Sequence, residues 1–142
     1  SYFGQKYVGR GATFGDYDND GDLDLLVVNL NDSPRLLRND GGNENHWLMV
    51  DARLPDGKSP AIGARISIEV GKQTQLRQVM PVTGYLSQAD ARVHFGLGGE
   101  DRIDQLTVRW PDGGTTEMEN VPTDQILTIV HPDDREDVAE RQ

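Results

Sequence analysis

Ile62-Gly63-Ala64-Arg65-Ile66-Ser67-Ile68-Glu69-Val70 alternates apolar and polar residues with a period of two. A strand turns successive side chains to opposite faces, so this stretch predicts a half-buried β-strand with Ile62, Ala64, Ile66, Ile68 and Val70 inward. The period extends in both directions. Leu48, Val50, Ala52 and Leu54 repeat it after His46, and Val93, Phe95 and Leu97 bracket His94 and Gly96. Leu106, Val108 and Trp110 alternate with Gln105, Thr107 and Arg109. Further strands are expected at 75–82, 115–119 and 126–130. Asp40-Gly41-Gly42, Pro55-Asp56-Gly57 and Pro111-Asp112-Gly113-Gly114 supply turns between them. Short strands at regular spacing predict an all-β chain with a β-sandwich over 43–131. Its expected core is Leu48, Val50, Ile66, Ile68, Phe95, Leu106, Val108 and Trp110. Residues 132–142 are a charged C-terminal tail, either frayed or a short helix.

The first forty or so residues read differently. Gly11-Ala12-Thr13-Phe14 leads into Asp16-Tyr17-Asp18-Asn19-Asp20-Gly21-Asp22-Leu23-Asp24, and Leu25-Leu26-Val27-Val28 leaves it as an unbroken apolar run. Carboxylates recur at every second position, with a glycine at the sixth where the chain must turn sharply. Side by side they repel unless a cation lies among them. Calcium takes six to eight oxygen ligands, so Asp16, Asp18, Asp20 and Asp24, with the backbone carbonyl of Asp22, are the predicted ligands of one Ca2+. An EF-hand loop begins the same way but ends in a bidentate Glu at its twelfth position and is flanked by helices. Here the twelfth position is Val27 and the flanks are strand-like, so the expected unit is strand–loop–strand. The run 25–28 predicts a strand apolar on both faces whose sheet partners are mostly missing. Two arrangements relieve that: folding back around Trp47, or a two-fold homodimer in which the strands of two copies complete one sheet.

Composition excludes several classes. The 142 residues carry a formal charge of −10, which opposes nucleic acid and anionic membrane surfaces. There is no cysteine, so no disulfide or thiolate metal site exists. No apolar run is long enough for a membrane-spanning helix. The start at Ser1 rather than Met reads as a piece of a longer protein.

No catalytic residue is identified, and the chain is expected not to be an enzyme. Ser87 stands in no Gly-x-Ser-x-Gly elbow and has no base nearby in sequence. His46, His94 and His131 show no pairing interval, and Asp56 and Asp112 read as caps of Pro-Asp-Gly turns. Trp47 lies on the face opposite Leu48 and Val50, covered or exposed to a ligand, while Tyr85 sits in a glycine-flanked loop. These two are the candidate ligand contacts.

Residues 15–26 resemble the calcium loop of FG-GAP/VCBS repeats, the blades of integrin-type propellers. Downstream of this loop, the stretches 34–39, 46–48, 62–65, 84–88, 94–98 and 108–111 resemble the ASPIC/UnbV domain of the cartilage acidic protein-like family. The resemblance implies a partial propeller blade at 1–42 joined to a β-sandwich at 43–131. It also implies a secreted or cell-surface adhesion module with a protein or glycan partner. A carbohydrate-binding module and an accessory domain of a larger enzyme are the rival readings.

Overall fold

The computed structural model describes residues 2–41, 44–82, Gly84 and 87–132. The tail at 133–142 and Tyr85 lie outside them. Among the described residues, a 3-10 turn at Tyr2–Gly4 precedes ten strands: β1 (Gly9–Gly15), β2 (Asp24–Asn29), β3 (Arg35–Leu37), β4 (His46–Arg53) and β5 (Arg65–Val70), then β6 (Gln73–Gln78), β7 (Val93–Gly98), β8 (Arg102–Arg109), β9 (Thr115–Pro122) and β10 (Gln125–Val130). They form three sheets in two compact units, Ser1–Asn45 with Met80–Asp90, and His46–Val79 with Ala91–Gln142.

The second unit is a β-sandwich. One sheet has the order β10-β4-β7, with β10 parallel and β7 antiparallel to β4. The other is antiparallel throughout, in the order β6-β5-β8-β9. Their inner faces interdigitate, and all eight expected core residues are 0–2% exposed. Ala61, Ala64, Val79, Ile103 and Val121 join them. Two expected inward residues do not. Ile62 is 46% exposed, because β5 begins only at Arg65 and Gly63 at φ 91 turns the chain before it. Leu54 is 36% exposed, one residue past the end of β4, where its N–H donates to Ser59 O at 2.8 Å. The strand expected at 75–82 is the shorter β6, and Val79 leaves it to bond Ala64 at 2.9 Å. As the edge of its sheet, β6 turns Arg77 over the Phe95 ring, 5.7 Å from its centroid. A charge on the inner side of an edge strand hinders pairing with other chains.

The parallel pair of β4 and β10 is latched by one aspartate. Asp124, at φ 58 before β10, accepts from Trp47 N (3.2 Å) through Oδ1. Its Oδ2 accepts from His46 Nδ1 (2.7 Å) and Thr123 Oγ1 (3.2 Å). Its own N–H donates to Trp47 O at 2.6 Å.

The first unit holds the three-stranded antiparallel sheet β1-β2-β3. Here the run 25–28 departs from expectation. It lies in the central strand, where β1 pairs with all four residues and β3 with Leu25, Leu26 and Val27. It is not buried on both faces: Val27 is buried, but Leu26 and Val28 are 38% and 42% exposed. The missing partner is β3, three residues long and without alternation, which pairs Leu37 with Leu25.

Phe95→Ala is expected to cost about 3–5 kcal/mol in urea unfolding, since it removes a fully buried ring. Asp124 yields a pH prediction. The His46 hydrogen bond, reinforced by Trp47 N–H and Thr123, holds its carboxyl below the ordinary 3.8 despite desolvation. A depressed carboxyl contributes stability above its unfolded pKa and loses it as pH falls through the folded one. Asp124→Asn should therefore melt below the natural protein at neutral pH. The two melting curves should converge as pH drops below 3.8.

Candidate metal centre

Gly15 ends β1 and pairs directly with Asp24, which opens β2, so residues 16–23 form a closed loop across the head of the hairpin. Asn19 at φ 60 and Gly21 at φ 97 allow the loop to coil tightly; glycine has no Cβ to clash there, and asparagine is among the residues that tolerate this region. Aspartates then serve as acceptors for the loop's amides. Asp16 Oδ1 accepts from Asp20 N (3.1 Å) and Oδ2 from Gly21 N (3.0 Å). Asp20 Oδ1 accepts from Asp22 N at 2.9 Å. Asp24 spans two segments: Oδ2 takes Tyr17 N (3.2 Å) and Oδ1 takes Asn39 N (2.9 Å) just beyond β3.

The coiled loop also brings three carboxylates together. Asp16, Asp18 and Asp24 each place an oxygen within 4.8 Å of the others, a cluster that could hold a metal ion. Asp16 and Asp24 are buried, at 1% and 2% exposure, whereas Asp18 is exposed. Asp20 and Asp22, also predicted as ligands, lie outside that trio. The Asp20 carboxylate is bound to the Asp22 amide, and the Asp22 side chain is buried at 2% exposure.

The electrostatics are lopsided. Partial desolvation and the charges of Asp20 and Asp24 push the Asp18 carboxyl above its ordinary value, while its own backbone hydrogen bond and Arg38 pull it back. Arg38 Nη1 stands 3.7 Å from Asp18, and its Nη2 pairs with Asp40. Arg38 and Asn39 are the site neighbours that sequence reading missed. The signal was present in Leu36-Leu37-Arg38-Asn39, but it becomes legible only once Leu37 is registered opposite Leu25.

The remaining described candidates lie in the second unit. Trp47 is half-buried and stacks on His94, with centroids 6.3 Å apart and planes at 12°. His131 Nε2 donates to Asp112 at 2.9 Å and its ring meets Trp110 edge-on at 4.8 Å, so Asp112 does more than cap its turn. Asp56 is a turn cap, accepting from Lys58 N and Ser59 N, both at 2.8 Å.

The chain is similar in sequence to known proteins. Cartilage acidic protein 1 of Homo sapiens is 33% identical over 135 residues, 90% of this chain and 20% of the relative. The Mus musculus protein of that name is 31% identical over 134 residues, with the same coverages. The Xenopus tropicalis protein is 31% identical over 137 residues, 92% of this chain and 21% of the relative. The chain thus spans about a fifth of the length of these curated relatives. The family model described as "ASPIC and UnbV" matches residues 55–136, more than half of the chain and nearly all of the sandwich strands. The chain belongs to the ASPIC and UnbV family.

Proposed function

We propose that this chain is a calcium-binding, non-catalytic module of a secreted or cell-surface protein, whose cation orders the β1–β2 loop. The observation that carries the reading is the meeting of Asp16, Asp18 and Asp24 within 4.8 Å, two of them buried. Burying ionised carboxylates together is costly unless charge of opposite sign joins them. Calcium suits the donor set because it prefers hard oxygen ligands and tolerates irregular geometry. Magnesium demands a tighter octahedron and gives up its water reluctantly.

The strand–loop–strand context of this site supports a blade of the FG-GAP/VCBS kind over an EF-hand. The name shared by the relatives, cartilage acidic protein 1, supports an extracellular setting; an adhesive role toward a protein or glycan partner is part of the proposal. The non-catalytic reading is supported by the histidine–aspartate pairs. His46–Asp124 ties β4 to the turn before β10, and His131–Asp112 ties the residue after β10 to the Pro111–Gly113 turn, with Thr123 Oγ1 donating to Asp124.

Titration calorimetry is expected to show one Ca2+ bound per chain, with magnesium much weaker. Absence of calcium uptake by the folded protein at millimolar concentration would refute the reading. At a hundredfold excess over Kd, calcium should stabilise by about 2.7 kcal/mol. Two variants should separate the roles of the ligands. Asp18→Ala should abolish the calcium response yet leave the chelated protein as stable or more so, because it relieves repulsion with Asp20 and Asp24. Asp24→Ala should abolish the response and also destabilise the chelated protein. It strands the Tyr17 and Asn39 amides, at about 1–3 kcal/mol for each that stays buried.

A further inference from the structure

The outer face of the four-stranded sheet has its charges sorted by position. The cross-strand row nearest the Pro111-Asp112-Gly113 turn reads Gln78, Arg65, Arg109, Thr115 across β6, β5, β8 and β9. The next row on that face reads Leu76, Ser67, Thr107, Glu117, and the one beyond Thr74, Glu69, Gln105, Glu119. Carboxylates therefore occupy the far rows, and two arginines face each other directly in the first. Directly opposed side chains on an antiparallel pair have Cβ atoms about 4.5–5.5 Å apart, and like charges there destabilise the sheet.

The chain has carboxylates to spare, 24 acidic residues against 14 basic. Other arginines use them or a ring: Arg35 pairs with Asp32, Arg38 with Asp18 and Asp40, and Arg53 with Asp51, while Arg77 covers Phe95. Among the described residues, no carboxylate lies within ion-pair distance of Arg65 or Arg109, both of which are exposed. The nearby Asp112 is occupied by the Gly114 amide at 3.0 Å and by His131.

The two arginines also share a cavity. A cleft of about 260 Å³ is lined by Gly63, Arg65, Arg109, Trp110, Pro111 and Gly113. Gly63 (φ 91) and Gly113 (φ 98) lie at turns where an added Cβ would meet nothing within 4 Å, so the space beside both glycines is open. Trp110 is a fixed wall, held by its Nε1–H donating to Thr116 Oγ1 at 2.8 Å.

We propose that Arg65 and Arg109 form a binding site for an oxyanion, a carboxylate or sulfate group, seated in this cleft. Guanidinium forks match such groups bidentately, and the bound anion cancels the cross-strand repulsion that the free protein carries.

The test is NMR titration of the whole chain with sodium glucuronate and with sodium sulfate, at matched ionic strength. Glucose serves as the neutral control, and the Trp110 indole N–H is the local probe. Glucuronate or sulfate should shift that resonance saturably and glucose should not. Arg65→Gln and Arg109→Gln, at exposed positions, should each weaken binding by about tenfold or more. Lysine at either position should restore only part of it, because it lacks the fork. No saturable shift with either anion, or a shift that survives both glutamine substitutions, would overturn the proposal.

Discussion

Everything in the second unit depends on the burial of one layer of side chains between two sheets. Leu48, Val50, Ile66, Ile68, Phe95, Leu106 and Val108 are all fully buried, and each belongs to a strand whose inward set repeats at every second residue over the part that carries it. Because the strand period is two, shifting β5 or β7 by one residue would turn its inward apolar set outward, whereas β4 is buried on both faces, with Met49 at 1% exposure. The packing therefore fixes register, and register fixes which residues meet on the outer faces. Arg65 lies opposite Arg109 because Ile66 must lie opposite Val108.

The first unit is organised by a different force. Its sheet has three strands and leaves Leu26 and Val28 half exposed, so apolar burial gives it little. The carboxylates take over as organisers. Asp24 joins the loop to the residues after β3, and Asp16 gathers two amides from across the turn. These are charge-assisted hydrogen bonds, roughly twice as strong as neutral ones. The aspartates thus shape the loop before any cation is considered.

Legibility in the sequence tracks this division. Where burial dominates, period two is visible, and the strands around Val50, Ile66, Phe95 and Val108 were readable. It failed where the period breaks. Ile103 and Leu106 are both buried on β8, three residues apart, so no simple alternation links them, and Asn120 in the facing strand sits at φ 54. β3 was invisible because Arg35-Leu36-Leu37 has no room for a pattern. At the acidic loop, the spacing of Asp16, Asp18 and Asp24 identified the clustered residues. It could not show that the Asp20 carboxylate would bind the Asp22 amide, or that Arg38 would stand beside Asp18. Both depend on how the chain coils and pairs, not on residue type.

One residue type in four turns shows why the acidic loop differs from its neighbours. Asp56, Asp112 and Asp124 each accept hydrogen bonds from hydroxyl, amide or imidazole donors, and each carboxyl is held below its ordinary value. Their charges are answered locally, so these turns are complete as they stand. Asp18 is shifted the other way, by desolvation and by the two like charges of Asp20 and Asp24. Asp16 and Asp24 each receive two backbone amides, while Asp18 is faced by a guanidinium at 3.7 Å that also serves Asp40. Amide dipoles and Arg38 each offset part of the loop's negative charge. Under the proposed reading, the cation completes at Asp18 what the hydrogen bonds accomplish at the other three turns.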